Sequence, residues 1–196
     1  MGGLTKGPHE FQLRYHPADI PKLAAEYMKS PFRGMTRADD DREMEKAGSR
    51  IVSGDLSLQN LKVIYRWKSP RRIGLLKENT PAAIGQALSH ALCAKTIREA
   101  IDSLTCLHGV GVKTASAILT AIDQKRYTVL DWRSLEALGA ENGEGVDLYI
   151  RYVEACGSMA NKYGVTMRDF DRANWQWSKN KSDRAGASTT HCRPWN

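Results

Sequence analysis

An all-α fold is the class this sequence predicts, and three observations carry it. Apolar residues recur at three- and four-residue spacings through most of the 196 residues, while strict strand alternation is almost absent. Helix punctuation is frequent: Thr36, Thr80 and Thr166 stand at N-cap positions, and Ser69-Pro70 and Gly164 stand at helix ends. Hydrophobic residues make up 41% of the chain, enough to build a core, and no internal repeat divides it. A single helical domain is therefore expected over residues 1–179. The polar, small-residue stretch NKSDRAGASTTHCRPWN, 180–196, is expected to be a disordered tail.

Each element has its own warrant. Residues 18–30, ADIPKLAAEYMKS, read as a first helix. Thr36 with Asp39 forms a capping box before a helix whose inner face is Met44, Ala47 and Ile51. Leu58, Leu61 and Tyr65 mark a third helix, closed by Ser69-Pro70. Thr80-Pro81 opens a helix with Ile84, Leu88 and Ala91 inward. Helices follow over 97–107 and 112–122, with Ala115, Ile118, Leu119 and Ile122 at core spacing in the second. Leu148, Tyr152 and Met159 mark a long helix ending near Gly164. Thr166 caps a last helix with Phe170, Ala173 and Trp177 inward.

The formal net charge of +7 favours an anionic partner, a nucleic acid or an anionic surface. No segment has the apolar length to span a bilayer, and the N-terminal MGGLTKGPHEFQLRYHP lacks the apolar core of a secretion signal. The four cysteines, Cys93, Cys106, Cys156 and Cys192, form no CxxC pair, so no zinc or iron–sulfur site is expected and a reduced, intracellular setting is. His9, His16, His90, His108 and His191 form no ligand pattern.

Between the helices at 97–107 and 112–122 lies His108-Gly109-Val110-Gly111. Two glycines permit a tight turn and close backbone approach to a ligand, and the amides opening the second helix suit a phosphate. LHGVGVKTASAIL resembles the helix-hairpin-helix of the HhH-GPD superfamily of DNA glycosylases. The similarity continues in Tyr127-Thr128-Val129-Leu130, a short extended piece leading to Asp131 at the mouth of the next helix, Trp132–Leu138. Asp131 lies 18 residues after Lys113, a spacing similar to the endonuclease III branch, and LDWRSLEAL resembles the adenine-glycosylase branch.

The resemblance implies a compact helical HhH-GPD-like fold, double-stranded DNA as partner, and Asp131 as the catalytic carboxylate. Breaking an N-glycosidic bond builds positive charge on the sugar, and a rigidly held carboxylate stabilises that charge and orients water. A plain N-cap role for Asp131 is compatible with this. Lys113 has two readings: nucleophile in a lyase step, as in some members of the family, or a cation that neutralises a phosphate. Gly109, Gly111, Lys113 and Thr114 are the hairpin's implied DNA contacts.

The acid-free run LKVIYRWKSPRRIGLLK, 61–77, adds Lys68, Arg71 and Arg72 as phosphate contacts. Trp67 and Trp132 are the candidates for stacking a flipped base, against ordinary packing for each. Family hairpins hold a monovalent cation, Na+ or K+, on backbone carbonyls, and the matching positions are Thr105, Leu107 and Val110. Two departures qualify the match. His108 stands where the family often has proline, and no four-cysteine cluster run follows Asp131, so no cluster and no required cofactor are implied.

The expectation is a DNA glycosylase, monomeric, cytoplasmic and nucleoid-associated if bacterial, that flips out a modified or damaged base and leaves an abasic site. Lyase activity stays open, as does the base. The alternatives are a non-catalytic helix-hairpin-helix DNA-binding protein, and a defence glycosylase acting on hypermodified bases of foreign, phage, DNA.

Overall fold

A computed structural model describes residues 11–189 of the chain. The fold is all-α: 71% of the structure is helix and 2% strand. After a short 3-10 turn at Pro17–Asp19, α1 runs Ile20–Lys29, starting two residues later than the sequence pattern indicates because Pro17 opens the tighter turn first. A two-residue antiparallel hairpin, β1 (Pro31–Phe32) and β2 (Met35–Thr36), turns through Arg33 and Gly34, both at positive φ. The remaining helices are α2 (Arg37–Val52), α3 (Leu58–Lys68), α4 (Pro81–Cys93), α5 (Ile97–Thr105), α6 (Val112–Ile122), α7 (Trp132–Ala137), α8 (Val146–Lys162) and α9 (Met167–Thr189). Pro70–Glu78 winds in 3-10 turns between α3 and α4.

The caps act as their residue types dictate. Thr36 and Asp39 close a reciprocal box at α2, Thr96 and Glu99 another at α5, and Thr80 accepts from the Ala83 amide before Pro81. Gly164 ends α8 at φ +65.

Two groups of helices make up the core. In one, α6 packs against α2, α3 and α5, and α4 lies on α5. In the other, α9 packs along α1, α7 and α8. The centre of α6, Thr114 to Ala121, is buried throughout. Gly48 lets α2 sit directly on α6: a Cβ there would come within 1.8 Å of the Ala121 carbonyl oxygen. Ile51, Leu61, Ile64, Ile84, Leu88, Ile101, Ile118 and Leu119 are fully buried, each contributing about 1.5–3 kcal/mol relative to exposure.

α8 forms where Leu148, Tyr152 and Met159 mark it, and two other expectations, Trp177 and the tail, are corrected. The inner face of α8 is Tyr149, Tyr152, Val153, Cys156 and Ala160, with Leu148 and Met159 only half-buried at its margins. Large aromatics one turn apart outcompete them for the space under the 127–130 segment. Trp177 is likewise half-buried, stacked on Tyr15 at 5.8 Å between ring centres. The tail expected from residue 180 continues α9 to Thr189, and its first turn is tied down. Asn180 bonds Glu26 at 3.0 Å, Lys181 pairs with Glu136 at 2.8 Å, and Arg133 reaches Ser182 at 3.2 Å. Residues 190–196, with His191 and Cys192, and residues 1–10, with His9, lie outside the described residues. Among the described residues no helix is long and apolar enough to cross a membrane.

Candidate active site

The site forms where the two helix groups meet, and its geometry starts from the segment between α6 and α7. Tyr127–Leu130 is extended and buried, so its backbone needs partners that no sheet supplies. Side chains provide them. Tyr149 donates to the Thr128 carbonyl at 3.0 Å, Tyr152 donates to the Val129 carbonyl at 3.2 Å, and the Leu130 amide donates to Ser116 Oγ of α6 at 2.9 Å. The chain therefore delivers Asp131 to a fixed position. There its Oδ1 accepts the Arg133 amide at 2.9 Å as the N-cap of α7. The far side of α7 is anchored to α9, where Glu136 accepts from Ser178 at 2.5 Å and Ser134 donates to Asp171 at 3.3 Å.

The other Asp131 oxygen, Oδ2, meets Lys68 Nζ at 2.6 Å. Only 21% of the aspartate side chain and 10% of the lysine side chain remain exposed. Burial pushes the Asp131 carboxyl up, but the Lys68 ammonium beside it, the Arg133 amide and the Arg133 charge outweigh burial and hold it below the usual carboxylate range. The group is thus an anion at neutral pH, rigid and poorly hydrated, which is the state needed to face a developing cation.

Around this pair lie Tyr27 from α1, Trp67 from α3, Val129, and Arg168, Asp171, Arg172 and Trp175 from α9. Their free space is about 50 Å³, well under the roughly 300 Å³ of an ordinary ligand pocket, so the Lys68–Asp131 pair lines a narrow cleft. Behind the aromatic walls Asp41 is fully buried. It accepts from Tyr27 at 3.1 Å and Trp67 Nε1 at 2.9 Å on one oxygen, and from Arg168 at 2.8 Å and Arg172 at 3.0 Å on the other. Arg168 also pairs with Asp171 at 2.5 Å. This network fixes the tilt of both aromatic rings, and burial together with Asp41 raises the Tyr27 pKa, so its hydroxyl stays a donor. Asp171 is pushed up by burial against the pull of Arg168 and Lys68, opposite in direction to Asp131.

The helix–hairpin–helix is α5, the 106–111 turn and α6. Asn79 braces the turn at His108: its side chain accepts the His108 amide at 2.8 Å and donates to the His108 carbonyl at 3.0 Å. Gly109 has φ +82, and a Cβ there would come within 2.6 Å of Leu75 Cβ. Its carbonyl accepts from Tyr65, whose hydroxyl burial pushes up to about 12. Gly111 is the N-cap of α6, and a Cβ there would meet nothing within 4 Å. Of the carbonyls matched to a cation, that of Leu107 already accepts the Val110 amide at 3.1 Å.

Several sequence-predicted residues take other places. Lys68 is not a surface phosphate contact, because it turns inward to Asp131. Thr114 is 4% exposed, so its side chain is closed off from the surface. Trp132 is 45% exposed: as the first residue of α7 it projects outward under Arg133, 4.4 Å from its ring centre, and does not line the cleft. Lys113 lies away from Asp131's pocket and donates to Asn142 at 2.9 Å. Arg71 and Arg72 are exposed, and Trp67 lines the cleft.

Tyr27, Asp41, Arg168, Asp171 and Trp175 were missed. Asp41 carried a signal, since it sits one turn before Met44 on the inner face of α2, where an unpaired charge could not stand. Tyr27 and Trp175 carried none beyond their size.

No family model, curated protein or solved structure matches this chain.

Proposed function

We propose that the protein is a DNA glycosylase. It would bind duplex DNA through the α5–α6 hairpin and the Arg71–Arg72 surface, and take a flipped nucleotide into the cleft between α3, α7 and α9. The observation that carries the reading is the placement of Asp131: an anionic carboxylate fixed at a helix mouth, inside an aromatic-walled cleft, at the end of the extended segment that follows the hairpin's second helix. Tyr27, Trp67 and Trp175 would stack the base, and Asp131 would stabilise the sugar cation as the N-glycosidic bond lengthens. Water added at C1′ then leaves an abasic site. Entry requires Lys68 to release Asp131 or move aside, since the free space is too small for a base. The open surface over Gly111 suits close approach of a phosphate to the first amides of α6.

The test is abasic-site formation on DNAs carrying damaged, deaminated or hypermodified bases, with the parent and Asp131→Asn. Asparagine keeps the N-cap and removes the charge. Abasic sites from the parent alone support the reading, and hypermodified DNA as the sole substrate would indicate a defence role. Tight DNA binding by both proteins with no base release on any DNA would leave a binding protein without chemistry.

A further inference from the structure

The β1–β2 hairpin carries an arginine where its backbone favours asparagine or glycine. Pro31 pairs with Thr36 and Phe32 with Met35, so Arg33 and Gly34 make up the whole turn. Both have positive φ, the two-residue turn that Asn-Gly or Asp-Gly forms most easily. Arg33, at φ +51, is the lone non-glycine residue at positive φ among the described residues, and that position strains an L-residue. Two strands of two residues do not hold themselves together. Arginine side chains do it instead. Arg37 lies 3.7 Å from the ring centre of Phe32 and 4.3 Å from that of Trp175, a wall of the cleft. Arg33 Nη1 donates at 2.6 Å to the carbonyl of Arg66, in the last turn of α3. That bond uses one of the five donors of a guanidinium, and Arg33 is otherwise exposed.

Arg33 belongs to a band of unpaired positive charge. Arg42, Arg98, Arg168 and Arg172 each meet a carboxylate, whereas Arg33, Arg37, Arg66, Arg71 and Arg72 form no ion pair among the described residues. Asp40, half-buried, feels three of them: burial pushes its carboxyl up against the pull of Arg37, Arg33 and Arg66. The band follows the C-terminal end of α3. Lys68 turns into the cleft between Arg66 and Arg71 in the chain, so the band borders the cleft. We propose that the β1–β2 hairpin is a second DNA grip, in which Arg33 and Arg66 hold backbone phosphates beside the cleft and Arg71 and Arg72 continue the track. This rests on the reading of duplex DNA as the partner. A row of unpaired guanidiniums matches a row of phosphates, where a single small anion would engage one or two of them. A Cβ on Gly34 would meet nothing within 4 Å, so the tip is open to a close backbone. The Arg66 carbonyl and the strained turn fix the Arg33 guanidinium before DNA arrives, which lowers the ordering cost of the contact.

The experiment is a fluorescence-anisotropy titration of the full chain with a 20-base-pair duplex (about two helical turns) at several salt concentrations. Arg33→Gly is the informative variant, because glycine relaxes the turn while removing the guanidinium. Its melting temperature should stay within about 4 °C of the parent. Its affinity should fall about fivefold near ~0.15 M salt, and its salt slope by about one unit. Arg66→Ala should do the same. Arg50→Ala is the control: Arg50 is exposed near the far end of α2, a helix of 16 residues and so about 24 Å long, away from the hairpin at its start. Variant slopes equal to the parent's, or an Arg50→Ala slope reduced as much as that of Arg33→Gly, overturn the proposal. So does an Arg33→Gly protein that melts early yet keeps its slope, since Arg33 would then serve only as a cap on α3. Parent binding with unchanged Arg33→Gly and Arg66→Ala slopes removes the hairpin grip alone. A parent that binds no duplex at any salt removes the DNA reading and the grip with it.

Discussion

The two hairpin glycines should respond differently to the same substitution. Gly109→Ala places a side chain at φ +82, which costs about 1–2 kcal/mol for an L-residue. The new Cβ would also lie 2.6 Å from Leu75 Cβ, a contact that must shift and so adds overpacking of roughly 1–3 kcal/mol. The sum is a loss of about 2–5 kcal/mol, which for a domain of this length lowers Tm by on the order of 10 °C. Gly111→Ala meets nothing within 4 Å, and its φ of −94 suits any residue. Its folding cost is the poorer N-cap of alanine, about 0.5–1 kcal/mol. If a DNA backbone passes over Gly111, the added methyl intrudes there, so affinity for duplex DNA falls while the fold survives. Urea denaturation of both variants, beside fluorescence-anisotropy titrations with a duplex, measures the two effects. A neutral Gly109→Ala, or a Gly111→Ala that destabilises as much as its neighbour, would refute this assignment of roles.

Further outcomes follow from the cleft and the basic surface. Asp41→Ala leaves Arg168 and Arg172 buried without their shared carboxylate and should cost about 3–5 kcal/mol in urea unfolding; a loss below ~1 kcal/mol would show that the network is not holding the cleft walls. Because the folded-state pKa of Asp131 is lowered, its charge stabilises the fold fully above its unfolded value near ~4, and that contribution fades as pH falls through the folded value. The stability difference between parent and Asp131→Asn should therefore be level from about pH 5 to 8 and move against the parent below about pH 4, and a parent gaining on the variant in acid would contradict it. Arg71→Ala and Arg72→Ala should each weaken DNA binding and flatten the salt slope by about one unit, and unchanged slopes would take that surface out of the interface.

Local signals in the sequence determined the helices, the hairpin and the N-cap. Thr36, Thr80, Thr166 and Asp131 each open a helix by bonding an amide two or three residues away, so their roles are written in adjacent residues. The same holds for α6, whose bounds follow from a glycine pair and from Ala115, Ile118, Leu119 and Ile122 at core spacing. What faces Asp131 was decided by tertiary structure. Lys68 lies 63 residues before it, in a basic stretch where Arg66, Arg71, Arg72 and Lys77 stay exposed, and nothing in that stretch separates the one lysine that turns inward. Trp67 and Trp132 look alike as candidates, yet one lines the cleft and the other faces solvent, because each is oriented by its helix's packing and not by its neighbours in the chain. Arg168, Asp171 and Trp175 reach the site only because α9 packs along α1 and α7. Capping is a contact within one turn, whereas a pocket is a contact between helices distant in sequence, and only the packed core sets which of their faces meet.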